Sequence, residues 1–358
     1  MLKKILSFSA LSAVLTGAMA QDSTKGTTTF TTSVDAYYRY DFAGKKNNYT
    51  SFTNSINSFE LGMASIKVDH SFGKVAATAD LGFGRRAEEF SYLDGSGWDG
   101  SAPVGGNKFN TLAAIKQAYL SYQTSSKLKI TAGKWATHVG WELVDAYANR
   151  NYSMSYGFSN GPFFHTGVKA DISLGGKTAL MLGVANPTDF ATTTSDGKMV
   201  IAQLSSATKN DKLKAYLNYQ GGTNAFKNKI SQLDLVLNYA ASSKLAVVYD
   251  GTVQNVDGKS WSSNALYFNY DPTSVFGLTL RGELFDNLTG ARFVSVPGDY
   301  LQASIFAATL SANIKSGNLT IIPEFRIDNS NNKLFSSKNG LLDAKSASSF
   351  ILAATYKF

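Results

Sequence analysis

The last ten residues of the chain, "SFILAATYKF" (residues 349–358), decide its fold class. The residues at even-numbered positions are apolar and mostly large: Phe350, Leu352, Ala354, Tyr356 and Phe358. The residues at odd-numbered positions are mostly small or polar: Ser349, Ile351, Ala353, Thr355 and Lys357. This period of two predicts a β-strand with one apolar face. Because a soluble domain rarely ends on an exposed Phe beside a Tyr, the fold depends on which solvent this face meets.

The opposite end of the chain indicates the compartment. Residues 1–20 contain two early lysines, a short apolar run from Ile5 to Leu15 and an A-x-A-like site that ends at Ala20. This order predicts a secretory signal peptide, and the apolar run is too short to span a membrane. The alternative, a buried N-terminal helix, does not require this order. We therefore expect a signal peptide at 1–20 and a mature chain at 21–358.

Composition excludes several classes of protein. Cysteine is absent, so the mature chain must gain its stability from a large fold or a membrane instead of disulfides. Without the two leader lysines, 32 basic residues remain against 26 acidic residues, a net charge of +6. No basic run is longer than a pair, which argues against a nucleic-acid partner.

The mature sequence resembles strands almost throughout, and its connections alternate in length. Seven tight turns separate runs of period two: His70–Lys74, Thr124–Lys127, Gly175–Lys177, Lys209–Lys212, Ala241–Lys244, Asp271–Gly277 and Lys315–Gly317. Longer polar segments lie between these hairpins: Ala43–Asn57, Arg85–Thr111, Thr137–Gly161, Asn186–Gly197, Gly221–Asn228, Gln254–Ser263, Asp286–Asp299 and Asn329–Lys345. A first strand at Phe30–Phe42, seven hairpins and the C-terminal strand give sixteen strands.

This alternation predicts an all-β fold, a transmembrane up-and-down antiparallel barrel with short periplasmic turns and long extracellular loops. The apolar face of each strand then meets lipid, and aromatic residues before short turns form a girdle at the membrane interface. A soluble β-sandwich also alternates apolar and polar residues, but it has no reason to place its long loops on alternate connections. Fourteen strands are the alternative to sixteen, because residues 59–68 change phase midway and Pro323 interrupts a strand.

Two motifs resemble catalytic or cofactor-binding sequences. Residues 95–100 match G-x-G-x-x-G, but no helix follows to hold a pyrophosphate. Residues 157–161 match G-x-S-x-G, but no carboxylate lies between Ser159 and His165, the one later histidine. The three histidines show no metal-ligand spacing. We therefore expect no catalytic site, cofactor or metal, and keep a hydrolase built on Ser159 and His165 as an alternative.

The polar parity of the strands is expected to face the lumen, because a charge facing hydrocarbon costs several kcal/mol near the midplane. Candidate pore-lining residues on this parity are Asp35, Arg39, Asp80, Lys116, His165, Lys169, Asp171, Arg281, Glu283, Glu324, Arg326 and Asp328. Mixed charges of this kind favour a hydrated path. The alternative is that Arg281–Glu283 and Glu324–Arg326 form ion pairs that brace the wall.

Sixteen strands enclose an interior too wide for wall side chains to fill. The long loop between Thr137 and Gly161 is the candidate for narrowing it. If this loop folds inward, Glu142, Asp145 and Arg150 set the size and charge selectivity of the constriction. The alternative is a loop that caps the outside of the barrel.

Five stretches resemble the OmpL-like β-barrel porin family of bacterial outer membranes. They are "AAIKQAYLSYQ" (113–123), "LKITAGKWATHVGWELV" (128–144), "NYSMSYGFSNGPFFHTGV" (151–168), "LRGELFDN" (280–287) and "IIPEFRIDN" (321–329). The resemblance implies an outer-membrane barrel with passive transport, and it provides no catalytic motif or defined substrate pocket.

We therefore expect an outer-membrane channel for the passive diffusion of small hydrophilic solutes or ions. Its partners are outer-membrane lipid and these solutes, and a homotrimer is left open by analogy with other sixteen-stranded channels. The alternatives are a closed barrel with an adhesin or structural role, and the hydrolase described above.

Overall fold

The computed structural model describes residues 26–94, 111–286 and 303–358, so the expected signal peptide and the G-x-G-x-x-G stretch lie outside the described residues. It contains sixteen strands. They are β1 (Thr27–Asp41), β2 (Ser58–Phe72), β3 (Val75–Phe83), β4 (Ile115–Ser125), β5 (Leu128–Ala136), β6 (Phe164–Gly175), β7 (Thr178–Ala185), β8 (Met199–Ala207), β9 (Leu213–Thr223), β10 (Lys229–Ala240), β11 (Leu245–Val256), β12 (Lys259–Tyr270), β13 (Phe276–Asp286), β14 (Ile305–Ser316), β15 (Leu319–Ser330) and β16 (Ser346–Lys357).

The strands form one closed antiparallel barrel in which every strand pairs with its sequence neighbours. The C-terminal strand closes it, because β16 pairs with β1 in a register that places Leu352 opposite Tyr38. Phe358 takes part directly: its N–H donates to Thr32 O at 2.9 Å, and Thr32 N–H donates to Phe358 O at 2.8 Å. The expected count of sixteen is confirmed, and closure removes the free sheet edges.

The two faces of the wall follow the parity of the sequence. On β16, Leu352 is 47% exposed on the outer face, whereas Ile351 and Thr355 are buried inside. The expected aromatic residues at the periplasmic end are exposed on the outer face: Tyr122, Tyr239, Tyr270, Tyr356 and Phe358. The outer surface therefore presents the apolar belt and aromatic girdle that a lipid environment stabilises.

All seven expected tight turns join the predicted strand pairs, but two of the expected long loops are short. Residues 254–263 are mostly strand, since β11 and β12 are separated only by Asp257 and Gly258. Both residues have positive φ (49° and 83°), as a type I′ hairpin turn requires, and Asp-Gly is its favoured sequence. The expected loop at 221–228 shortens in the same way, because β9 continues to Thr223.

The two expected irregularities have different outcomes. The phase change in β2 is a bulge: the register against β1 shifts at Asp35, which leaves Gly62 as the extra residue. Pro323 lacks the N–H that a ladder needs, and the pairing of β14 with β15 is interrupted there without a change of register.

Helices are short and lie in the connections. They are α1 (Arg85–Phe90), α2 (Tyr156–Asn160) and two 3₁₀ turns, Thr111–Ala114 and Ala146–Ala148. Within the described ranges, no helix has the length and apolar character needed to cross a membrane.

Candidate functional site: a segment inside the barrel

The connection between β5 and β6 enters the lumen. Ala136 ends β5 and Phe164 begins β6, and we call residues 137–163 between them the inner segment. Most of its side chains are buried, and Tyr152 and Met154 have no exposed surface. Of the two placements that the sequence allowed for this loop, the structure has the inward one.

The inner segment crosses most of the height of the barrel. Arg150 forms an ion pair with Asp271, in the periplasmic turn between β12 and β13, at 2.8 Å. The Lys357 ammonium, at the end of β16, lies 4.8 Å from the centre of the Tyr147 ring. At the extracellular side, Ser159 Oγ accepts a hydrogen bond from the N–H of Ser51, in the loop between β1 and β2. The segment therefore fills the barrel along its axis and does not narrow it at one level only.

Two wall glutamates hold the inner segment through its backbone. Glu324 on β15 accepts the N–H groups of residues 152 and 153 at 2.7 and 3.0 Å. Glu283 on β13 accepts those of residues 156 and 157, both at 2.8 Å. Because a buried N–H group needs a partner and a carboxylate is a strong acceptor, each glutamate satisfies two donors that no sheet could pair. Both glutamates therefore position the backbone of the inner segment.

Arg281 links the wall to the inner segment through an ion pair. Its guanidinium, fully buried on β13, forms an ion pair with Glu142 at 2.5 Å and donates to Ser153 O at 2.8 Å. The second oxygen of Glu142 accepts the Ser155 N–H at 2.8 Å. This buried pair fixes where the segment sits, because both partners also bond to its backbone, and loss of either partner leaves an uncompensated charge.

Lys116 makes the equivalent connection on the opposite wall. Its ammonium lies 3.1 Å from Asp80 on β3 and 2.6 Å from Asp145 in the inner segment. Asp35 on β1 adds a hydrogen bond, which it accepts from the hydroxyl of Tyr152. The segment is therefore anchored to walls on both sides of the lumen.

The two ion pairs considered from the sequence, Arg281–Glu283 and Glu324–Arg326, do not form. Each acid instead accepts backbone N–H groups, and each arginine takes another carboxylate, since Arg281 pairs with Glu142 and Arg326 pairs with Asp328 at 2.8 Å. The partners of Glu283, Glu324 and Arg281 come from the inner segment, whereas Arg326 pairs with Asp328 on its own strand.

An apolar cluster lies in the extracellular half of the lumen. It comprises Phe52, Phe90, Val144, Met154, Phe158, Phe163 and Phe164. These residues come from the loop after β1, from α1, from the inner segment and from the start of β6. The buried guanidinium of Arg86 lies 4.8 Å from the centre of the Phe52 ring. A packed aromatic cluster of this kind excludes water, so the lumen is closed where this cluster lies against the inner segment.

The lumen is more open near the periplasmic ends of β2 to β6. Lys129 lies 3.4 Å from Asp171, and Lys169 lies 3.5 Å from the same carboxylate. Lys67 and Asp69 on β2 form a partly exposed pair. Of the expected pore-lining residues, Lys169 and Asp171 therefore lie in this vestibule. The others are buried, as is Lys169 itself, apart from the half-buried Asp145 beside Lys116 and Arg150 at the periplasmic mouth.

Ser159 and His165 have separate partners. Ser159 Oγ donates to Ser155 O at 2.8 Å, whereas His165 Nε2 lies 3.1 Å from Thr137 Oγ1 and its ring faces His138 at a centroid distance of 5.1 Å. Burial lowers the pKa of His138 to about 4, so its imidazole is neutral at pH 7. Within the described ranges, no group of three or more His, Cys, Asp or Glu side chains is placed to hold a metal ion.

A polar ladder covers the lumen face of β8 to β11, and sequence reasoning did not single it out. Gln232 accepts amide hydrogen bonds from Gln220 and Gln254 at 2.7 and 3.0 Å. Gln203 donates to Asn218 at 2.7 Å, and Asn218 donates to Asp234. The signal was present in the sequence as amide residues on the polar parity of adjacent strands.

A small cavity separates this ladder from the inner segment. It measures about 10 Å³, roughly the space of one water molecule. Asp234 and Asp250 line it from β10 and β11, and Gly140 and Gly157 line it from the inner segment. The wall side of this interface is therefore polar, whereas the inner segment also brings the apolar residues Val139, Phe158 and Pro162 to it.

The sequence matches the family described as "Putative beta-barrel porin-2, OmpL-like" over residues 27–358. No curated protein matches it. The match covers every strand of the barrel.

Solved structures of outer-membrane proteins share the fold at low sequence identity. The outer membrane channel DcaP of Acinetobacter baumannii has a TM-score of 0.60 and 11% identity, with 95% of this chain and 99% of that chain covered. An anion-selective porin from Comamonas acidovorans gives 0.59 and 11%, with 93% and 100% covered. OmpT of Vibrio cholerae in its trimer form gives 0.57 and 12%, with 93% and 100% covered.

Proposed function

This chain belongs to the OmpL-like family of β-barrel porins, which places it in the bacterial outer membrane as a porin, and we propose that it passes small hydrophilic solutes and ions by diffusion through a strongly restricted lumen. The observation that carries the proposal is the combination of a closed sixteen-stranded wall with an inner segment anchored along its whole depth. A wall of this size leaves an aqueous channel unless something occupies it.

We propose that the path follows the polar side of the inner segment. On that side Gln232 lines the cavity, and Gln220 and Gln254 donate to it from the neighbouring strands, so a hydrated solute would exchange water for amide groups. On the other side, aromatic packing and buried ion pairs occupy space between the inner segment and the wall. Lys169 and Asp171 line the periplasmic vestibule of this path, and Glu283 and Glu324 act as positioning residues for the segment.

Swelling of proteoliposomes tests this function. Vesicles that contain the folded barrel are placed in isotonic solutions of a small amino acid, a monosaccharide and a trisaccharide. We expect the smallest solute to enter and the trisaccharide to be excluded, because the segment leaves little free cross-section. Heat-denatured protein is the control. Equal impermeability to all three solutes and to ions would favour a closed barrel with a structural or adhesive role.

Two further aspects are part of the proposal. We propose no catalytic role for Ser159 or His165, since each has a local hydrogen-bond partner and the two are not paired with one another. We also propose that outer-membrane lipid covers the apolar belt and that three copies associate, as in the trimer form of Vibrio cholerae OmpT.

A further inference from the structure

Two carboxyl groups face the same cavity from neighbouring strands. Asp234 on β10 and Asp250 on β11 lie on the lumen face, and in the register Asp234 is opposite Thr252, two residues along the strand from Asp250. Asp234 Oδ1 accepts the Gly140 N–H at 3.1 Å, and Asp250 Oδ2 accepts the Trp141 N–H at 3.0 Å. The two carboxyl groups also lie within hydrogen-bonding reach of each other.

These acids lack a basic partner. Among the described parts of the chain, every ion pair leaves Asp234 and Asp250 out. This separates them from Glu142, Asp145 and Asp328, each of which has a lysine or arginine within 3 Å. Two adjacent carboxylates in a buried site repel each other and lose hydration, so such a pair is stable only with a proton or a cation between them.

A second observation gives the place of that occupant. Asp234 is 1% exposed, and its Oδ2 has no hydrogen-bond donor among the described residues. Its nearest acidic neighbour, Asp250, can supply a donor only as the protonated acid. Both acids line the cavity of about 10 Å³, and the hydroxyl-bearing residues Thr252 and Ser263 line the same space.

We propose that this cavity is a binding site for one hard divalent cation, with Asp234 and Asp250 as its charged ligands. Carboxylate oxygens and uncharged protein oxygens are the ligands that Ca²⁺ takes, a cavity of about 10 Å³ has room for one ion, and flexible coordination suits a site shared between strands and a loop. The cation would also fix the start of the inner segment, because Gly140 and Trp141 donate to the same two carboxylates. This inference does not depend on whether solutes pass through the barrel.

Calcium titration of the folded, detergent-solubilised protein tests the site. With residual metal removed by a chelator, calorimetry is expected to show one saturable site with a dissociation constant on the order of 0.1–1 mM, as for weakly charged calcium sites. D234N and D250N keep the shape of each side chain and an oxygen for the backbone N–H, and each is expected to abolish saturable binding. D171N is the matched control, since Asp171 is a lumen carboxylate with lysine neighbours, and it is expected to bind as the parent does.

Terbium provides an independent measure of position. Tb³⁺ in place of Ca²⁺ is expected to show luminescence sensitised by Trp141, which W141F reduces without changing the calcium titration. Absence of saturable calcium binding to the folded parent protein overturns the proposal and makes a shared proton the occupant. Binding that persists in both D234N and D250N overturns it as well, because the cation would then lie elsewhere. Both outcomes are independent of the swelling assay.

Discussion

Replacing residues 138–162 by a short Gly-Ser turn will raise the single-channel conductance by about tenfold or more, because an unobstructed sixteen-stranded barrel holds an aqueous channel. The change is compatible with the wall, since Ala136 and Phe164 are paired neighbours at the ends of β5 and β6. The carboxylates and arginines that lose their partners will face water in the opened lumen. The measurement is conductance in planar bilayers, parent and variant side by side.

A matched control separates this effect from a general loosening of the loops. Shortening the exposed connection at 224–228, which joins β9 to β10 at the same end of the barrel, is expected to leave the conductance at the parental level. If removal of the inner segment leaves the conductance unchanged in a barrel shown to be folded, the segment does not restrict the path.

The second large effect concerns the wall. Leu235 lies at the middle of β10 on the lipid-facing parity, and Leu235→Arg will place a charge in hydrocarbon at a cost of about 2–4 kcal/mol. We expect a strong loss of folding yield in lipid vesicles, measured by the change in gel mobility between boiled and unboiled samples. This free-energy cost opposes insertion into the membrane, because the arginine stays in water in the unfolded chain.

Asn238→Arg on the same strand is the control, since Asn238 belongs to the lumen parity and is half-buried. It is expected to insert with nearly the parental yield. Equal yields for the two variants, whether both high or both low, would contradict the assignment of faces that underlies the whole barrel.

Much of the wall could be predicted because strand parity and turns are local features. The alternation in residues 349–358 alone indicated the closing strand, and the tight turns indicated the hairpins. The Asp257–Gly258 hairpin was missed because polar residues on both sides were read as loop, although Asp-Gly is a strong local turn signal. A loop predicted from polar composition is therefore less reliable than a turn predicted from a specific sequence such as Asp-Gly.

The interior could be predicted only in part, because its contacts join residues far apart in sequence. Parity placed Glu283 and Glu324 inside, but it could not show that their partners are backbone N–H groups of the inner segment. Asp234 and Asp250 were each one acid among many on the polar parity. Their closeness depends on the register between β10 and β11, which a single sequence does not determine.

Disulfide trapping in outer membranes tests whether the inner segment lies against the lumen wall. A Cβ built at Gly157 lies 2.9 Å from Ser263 Cβ on β12, and a disulfide needs a Cβ separation of about 3.5–4.5 Å, so a small shift suffices. Because the chain has no native cysteine, G157C/S263C is expected to form one intramolecular disulfide under mild oxidation, detected as a mobility shift that reductant reverses. The single variants, and G157C with S121C on the distant strand β4, are expected to form none. Free thiols in G157C/S263C, in a barrel shown to be folded, would contradict the account and place the segment outside the lumen.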